Sequence, residues 1–381
     1  MNSSYQICNY CVMDTTDVHI KFNPLGFCNH CLSARNLLSR LNEVKKQEPR
    51  KFQSMISELR KYPSPDGFHA IIGVSGGLDS SYLLHALKDS GLKLLAVHVD
   101  AGWNSIEAIR NISNLVSALE IELETVVIDW QQMKNLQIAF LKSGVPNQDV
   151  PQDHAFFGSL YNLANEHKIR FVFSGSNYAT ESILPESWGQ FAMDGLQLLN
   201  INAQYGKGQL ESYPVTLLRD YYITRYIKKR YMVVSPLNFL EFSRKSAVEV
   251  LSREYGWTDY GGKHKESRFT DYFQEVYLPQ RFGIEKKRAH LSSQIVSGEI
   301  TRDQALETIE RTKISKVDSD VLENFIASKL GISVSELREY SQLSWINPNI
   351  YRNENYLNEL IRIFVLVRNT SRKLTRYVGI S

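Results

Sequence analysis

The stretch His69-Ala-Ile-Ile-Gly-Val-Ser-Gly-Gly-Leu-Asp-Ser-Ser-Tyr-Leu-Leu-His-Ala-Leu-Lys-Asp89 decides the fold. Its first seven residues form an apolar, strand-like run, and Ser80 to Asp89 carries leucines at helical spacing. Between them lies Ser75-Gly-Gly-Leu-Asp-Ser-Ser81. Gly76 and Gly77 let backbone N–H groups approach a polyanion with no side chain in the way, and the helix start adds the positive end of its dipole. Ser75, Ser80 and Ser81 contribute hydroxyls, and Asp79 a carboxylate where phosphate oxygens and Mg²⁺ would meet. The stretch reads as a pyrophosphate cradle. It is neither G-x-x-x-x-G-K-[ST] nor G-x-G-x-x-G, since the spacing and the lysine are absent.

Working outward, apolar strands alternate with helical segments. Strands are expected at Leu92–Val99, Glu124–Ile128 and Arg170–Ser174, with helices at Ser105–Leu119, Gln131–Leu141 and His154–His167. This alternation predicts a doubly wound parallel sheet with helices on both faces, whose ligands bind beyond the carboxyl ends of the strands. Two further strand ends therefore belong with the glycine loop. One is His98-Val-Asp-Ala-Gly-Trp-Asn104, where backbone around Val99 and Asp100 would bracket an adenine edge. The other is Phe173-Ser-Gly-Ser-Asn-Tyr-Ala-Thr-Glu181, where Gly175 permits close ligand approach and Asn177 and Glu181 stand at the rim. Asp149, Asp153 and His154 read as a loop before a helix, with Asp153 as its N-cap.

All four cysteines lie near the front, as Cys8-x-x-Cys11 and Cys28-x-x-Cys31, with residues 12–27 between the pairs. That spacing suits a tetrahedral zinc site closed by four thiolates, hence structural; an iron–sulfur cluster and a disulfide pair are the alternatives. Leu32–Tyr62 reads as helical. The chain has 381 residues, is 43% hydrophobic and carries a net charge of +3, so it has room for a substantial core and no strong nucleic-acid signature. No apolar run approaches the roughly 18–20 residues that span a bilayer, and the first residues carry no apolar signal core, which predicts a cytoplasmic protein.

Beyond the sheet, periodicity fades from Ile183 to Tyr213, predicting a long irregular binding loop. Val215–Tyr231 reads as a helix, and Ser243 as the cap of a helix ending near Tyr255. A second dense motif follows, Tyr260-Gly-Gly-Lys-His-Lys-Glu-Ser-Arg-Phe-Thr-Asp271, which crowds Lys263, His264, Lys265 and Arg268 into six positions around Glu266. Thr301-x-x-Gln304 has the form of a capping box, and Gly331 separates two C-terminal helices. Three regions are expected: a knuckle and leading helix (1–62), an ATP-binding α/β domain (63–240) and a mostly helical C-terminal region that completes the site (241–381).

The order S-G-G-x-D-S resembles the PP-loop of the ATP pyrophosphatases, which cleave ATP between its α and β phosphates. With the cysteine knuckle, His98–Asn104, Gly175–Glu181, Gly262-Lys-His-Lys-Glu-Ser267 and Lys287-Arg-Ala-His-Leu-Ser-Ser293, the chain resembles the N-acetyl sugar amidotransferases of surface-polysaccharide biosynthesis. The resemblance implies conversion of a nucleotide-linked sugar's acetamido group to an acetamidino group through an adenylated imidate, with AMP and pyrophosphate released. It implies ATP, Mg²⁺ at Asp79 and structural Zn²⁺ at the cysteines. Ser75, Gly76, Gly77, Ser80 and Ser81 would hold pyrophosphate. Lys263, helped by Lys265, would stabilise the α-phosphate transition state, with Glu266 and Glu181 as the remaining catalytic candidates. No cysteine is spare for a glutaminase, so the resemblance implies partner subunits, a glutamine amidotransferase and a cyclase-like channel, that deliver ammonia. The main rival is a PP-loop enzyme that modifies tRNA, of the thiolase or lysidine-synthetase type.

Overall fold

The computed structural model describes residues 5–188, 192–344, 346–361 and 363. Five parallel strands, β1 (Ala70–Gly73), β2 (Leu94–Asp100), β3 (Glu122–Val127), β4 (Phe171–Phe173) and β5 (Met232–Val234), form one sheet in the order β3-β2-β1-β4-β5. Both faces are covered. Ala70 and Ile72 of β1, Ala96 of β2 and Phe171 and Phe173 of β4 pack into one apolar cluster, whereas Ile71, Val97 and Val172 enter a second cluster on the opposite face. Burial on both faces follows from the period-2 alternation of strands that read as continuous apolar runs. The strand order reverses at β1, whose neighbours are β2 and β4, so a crevice opens between the carboxyl ends of β1 and β4.

Helices α1 (Asn29–Gln47) and α2 (Lys51–Leu59) precede the sheet, and α3 (Leu78–Leu87), α4 (Ile106–Ala118), α5 (Trp130–Ser143) and α6 (Val150–Glu166) connect its strands. The single helix expected over Leu32–Tyr62 is thus two, broken around Pro49, where proline lacks the N–H that would continue the ladder. Helix α6 begins earlier than expected. Asp149 occupies its N-cap position, Asp153 lies in its first turn, and His154 is fully buried, its imidazole held between the Ala192 carbonyl (2.7 Å) and the Thr216 N–H (2.9 Å). That histidine is structural.

After β4 come α7 (Tyr178–Glu181), α8 (Gly195–Tyr205) and α9 (Leu218–Tyr222). Helix α8 corrects the expectation of an irregular stretch over Ile183–Tyr213, of which residues 189–191 lie outside the described residues. Asp194 caps it by accepting from the Gln197 N–H. The helix expected to run to Tyr231 ends early in a π-turn at Ile223–Ile227, and β5 follows. The remaining helices are α10 (Arg244–Tyr255), α11 (Arg268–Tyr272), α12 (Leu278–Phe282), α13 (Lys287–Ser297), α14 (Arg302–Arg311), α15 (Lys316–Leu330) and α16 (Val334–Ser341). The capping box at Thr301 and Gln304 is present, and Gly331, in the left-handed region, ends α15.

The four cysteine sulfurs lie within 4.8 Å of one another and are fully buried. Cys8 Sγ stands 3.8 Å from Cys31 Sγ, and Cys11 Sγ 3.6 Å from Cys28 Sγ. Four thiolates at about 2.3 Å from a tetrahedral ion sit about 3.8 Å apart, so the donor set fits one ion rather than the wider spacing a polynuclear cluster needs. Backbone N–H groups of Tyr10, Cys11 and Cys28 point at Cys8 Sγ, as suits a thiolate. The knuckle also grips the far end of the chain. Arg302 donates to the carbonyls of Cys8 and Cys11, Arg288 to that of Val12, and the Val12 N–H to Ser292 Oγ of α13. Elemental analysis should find one metal equivalent per chain. Cys11→Ser should abolish it and destabilise the protein by about 3 kcal/mol or more, read as a shift in the denaturant midpoint.

Candidate active site

The glycine loop is held from behind. Gly76 adopts φ +78°, and a Cβ there would fall 2.4 Å from the Ala108 carbonyl oxygen of α4. Its own carbonyl accepts from Trp257 Nε1 (3.1 Å) and Asn111 Nδ2 (3.4 Å). Gly77 occupies the N-cap position of α3, its N–H bonded to Ser75 Oγ at 3.3 Å, and Ser80 Oγ donates to the Gly77 carbonyl. Ser81 is buried beneath. Gly175, at the end of β4, is spoken for by the protein itself, because a Cβ there would lie 3.0 Å from the Ser80 nitrogen. Asn177 is 3% exposed and turned inward, its side chain capping α7 through the Thr180 N–H (3.0 Å). It supports the rim rather than forming it. On the other side of the crevice Val99 is buried, and Asp100 Oδ1 accepts from the Gly102 N–H (2.8 Å) and Asn104 Nδ2 (3.0 Å), which shapes the turn after β2.

The second motif folds over this crevice. Residues 266–268 pair with the turn after β2 through Ser105 N to Glu266 O and Arg268 N to Trp103 O, both 2.8 Å. Trp103, buried against Phe269 and Trp130, fixes that junction. Lys263 reaches down to the loop. Its Nζ lies 2.9 Å from Asp79 Oδ2, 2.6 Å from Glu181 Oε1 and 3.0 Å from Thr180 Oγ1. Burial works to strip the ammonium of its proton, but the Asp79 and Glu181 carboxylates outweigh it and hold Lys263 above the ordinary lysine range. The glycine loop, the end of β4 and the second motif thus meet at one cation.

The other three expected cations behave differently. Lys265 pairs with Asp271 at 3.4 Å, and Arg268 is exposed and lies over Phe325. The His264 pKa is driven well below the usual histidine value by burial and by neighbouring His290, Lys263 and Lys286. Glu266 faces the loop. A Cβ on Gly77 would sit 3.4 Å from both Glu266 Oε1 and Tyr260 Oη, and that hydroxyl donates to Glu266 Oε2 at 3.4 Å. Burial pushes the Glu266 carboxyl up to about 7.

Four contributors were given no role from the sequence: Thr180, Tyr260 and His290, which lie inside the quoted motifs, and Trp257, which does not. Thr180 stands beside Glu181, which was singled out, but nothing in the sequence ties it to Lys263. The ring of His290 lies 5.2 Å from that of His264, tilted to it by 49°, and its Nδ1 lies 3.4 Å from the Thr180 carbonyl. The sequence signal for His290 was its place in the Lys287–Ser293 stretch that carries the resemblance.

A family model described as "LPS biosynthesis protein WbpG-like, C-terminal domain" matches residues 266–365, and one described as "Queuosine biosynthesis protein QueC" matches 69–209. Two separate parts of the chain are thus similar to known families, residues 69–209 to QueC and residues 266–365 to the WbpG-like C-terminal domain. Among curated proteins it is 28% identical over 190 residues to a tRNA(Ile)-lysidine synthase of Chlamydia muridarum (strain MoPn / Nigg), covering 49% of this chain and 51% of that one. It is 24% identical over 153 residues to the same enzyme of Chlamydia felis, covering 38% and 42%. The chain spans about half the length of the curated relatives it matches. Among solved structures, an NH3-dependent NAD synthetase from Campylobacter jejuni is 12% identical, covering 80% of this chain and 98% of its own, with a TM-score of 0.35. The U34-tRNA thiolase NcsA from Methanococcus maripaludis is 15% identical, covering 68% and 81%, with a TM-score of 0.33.

Two substitutions test the geometry. Gly76→Ala forces a left-handed alanine against the Ala108 carbonyl and should cost about 2 kcal/mol or more, read by thermal unfolding. Lys263→Met should leave ATP binding measurable by calorimetry while cutting AMP formation by about 100-fold or more, the scale of a lost charge stabiliser at a transition state.

Proposed function

We propose that the chain is the synthetase subunit of an ATP-dependent amidotransferase that converts the N-acetyl group of a nucleotide-linked sugar into an acetamidino group. One observation carries this reading. The WbpG-like match begins at Glu266, and α13 within it sets His290 beside the lysine that grips the PP-loop. The QueC likeness covers residues 69–209, the part that holds the glycine loop and the end of β4, and stops short of the segment that carries Lys263 and Glu266.

An amide oxygen is a poor leaving group until it is adenylated. The loop N–H groups and the hydroxyls of Ser75 and Ser80 would hold the β and γ phosphates as departing pyrophosphate. Asp79 is the carboxylate that would hold Mg²⁺, which when bound neutralises phosphate charge. Lys263, kept charged by Asp79 and Glu181, stands where it would meet the pentacoordinate α-phosphate as the acetamido oxygen attacks. Glu266, with a carboxyl near neutrality, would take the amide proton as the neutral imidate forms. Lys265 acts through Asp271, holding the segment that carries Glu266. We assign zinc to the cysteine knuckle, with a structural role. All four cysteines are committed there, so ammonia would come from a partner glutaminase, handed on by a cyclase-like subunit. Among the described residues no helix is long and apolar enough to cross a membrane, and we place the reaction in the cytoplasm, where ATP is available.

The test is incubation with ATP, Mg²⁺, ammonium chloride and a panel of nucleotide-linked mono- and diacetamido sugars. AMP, pyrophosphate and a sugar about one dalton lighter, from exchange of oxygen for NH, are expected together. AMP release with tRNA and with no sugar would reject the proposal in favour of tRNA modification. The adenylation half-reaction, followed as sugar-dependent exchange of labelled pyrophosphate into ATP without ammonium, should rise with pH between about 6 and 8. A group pushed up to about 7 must lose its proton to act as a base, so the active form grows as pH passes that value. Glu266→Gln should flatten this rise and slow exchange about 100-fold.

A further inference from the structure

His264 and His290 form a pair that the adenylation step does not use. Their ring centroids lie 5.2 Å apart with the planes tilted by 49°, and His264 Nδ1 lies 4.0 Å from Glu266 Oε1. His264 is held at φ +65°, a conformation rare for a residue with a side chain, which sets its imidazole between Glu266 and α13. His290 Nδ1 faces the Thr180 carbonyl, which accepts only, so that nitrogen carries the proton and Nε2 presents a bare lone pair. This Nε2 is buried and has no hydrogen-bond partner among the described residues. A buried acceptor of this kind costs free energy unless a ligand that donates completes it.

The surroundings define that ligand. Burial, with Lys263 and Lys286 close by, keeps both imidazoles uncharged, the His290 value falling to about 3. The same two cations disfavour an ammonium ion and favour its neutral conjugate base. A small neutral molecule with several N–H donors and a free lone pair satisfies each requirement.

We propose that the His264–His290 pair is the ammonia-binding site of the second half-reaction, with His290 Nε2 accepting one hydrogen and leaving the nitrogen lone pair free for attack. The proposal rests on the amidotransferase reading above. Ammonia forms a C–N bond to the imidate carbon, and the C=N π electrons move to the sugar nitrogen. A proton then passes from the new nitrogen to the sugar nitrogen, and the C–O bond to AMP breaks with its electron pair leaving on the phosphate. The products are the amidinium sugar and AMP, with the three hydrogens of ammonia retained in the amidinium. His264 bounds the site on the Glu266 side and orients the attacking nitrogen.

The experiment compares wild type, His290→Ala, His290→Gln and His264→Gln in the two half-reactions, using ammonium chloride and the sugar identified by the panel. For His290→Ala, pyrophosphate exchange without ammonium should stay within about threefold of wild type, while KM for ammonium rises about tenfold or more. Water should then compete for the adenylated imidate, so more AMP is released per amidine formed, and ¹⁸O from labelled water enters the recovered acetamido sugar. His290→Gln, whose amide oxygen reaches the same region, should recover most of the ammonium KM. Circular dichroism and the unfolding midpoint show whether each variant is folded. If His290→Ala is not, His264→Gln serves as the test and should also raise KM for ammonium and AMP per amidine. Parallel loss of exchange and amidination in a folded variant, or an unchanged KM for ammonium, overturns the ammonia site while leaving the amidotransferase reading intact. Absence of sugar-dependent exchange in the wild type instead overturns that reading, and the ammonia site with it.

Discussion

The ammonium of Lys263, gripped by Asp79, Glu181 and Thr180, is the interaction on which the rest of the site depends. It joins three parts of the chain that the sheet topology alone leaves apart: the first turn of α3, the short helix after β4 and the segment after Gly262. A buried charge is stable only when its partners are complete, and here two carboxylates and a hydroxyl complete it. The same pairing removes the entropy of a free lysine side chain, so a positive charge already stands over the glycine loop.

Around that cation the protein separates two chemistries by environment. The face toward α3 is polar and built from backbone N–H groups, serine hydroxyls and a carboxylate, which suits polyphosphate. The face toward α13 carries two uncharged imidazoles and a carboxyl near neutrality, which suits proton movement and a neutral nucleophile. A pair of titratable groups pushed apart in opposite directions, Glu266 up and His290 down, marks the boundary between the two.

What the sequence revealed was what is local. The strand–glycine–helix junction at Ser75 to Ser81 is a short-range pattern whose chemistry and geometry coincide, and the two C-x-x-C pairs carry their own spacing rule. Parallel order followed from alternation. What stayed hidden was set by distant packing. β5 is three residues long beside a basic turn, and α8 lies in a stretch rich in glutamine and asparagine that lacks a clear apolar period. Gly175 and Asn177 read as ligand-facing because strand ends so often are, yet one is glycine to admit the backbone of α3 and the other is a helix cap. Four cations in six positions could not be sorted without knowing that Lys263 turns inward and Arg268 outward. His290 gained its meaning only when α13 was seen packed against α7.

The grip of the knuckle on α13 also fixes the order in which the enzyme can be completed. Val12 binds Ser292, 280 positions downstream, and Cys8 and Cys11 bind Arg302. A chain emerging from the ribosome has its whole sheet and phosphate cradle available to fold while these partners are still unmade. Lys263 and then α13 follow the sheet in the chain, and the contact of α13 with Val12 closes a loop 280 positions long. A chain that has not yet emerged past residue 302 lacks the partners that the Cys8, Cys11 and Val12 backbone grips, so the cysteine knuckle is held against the C-terminal helices only late in synthesis.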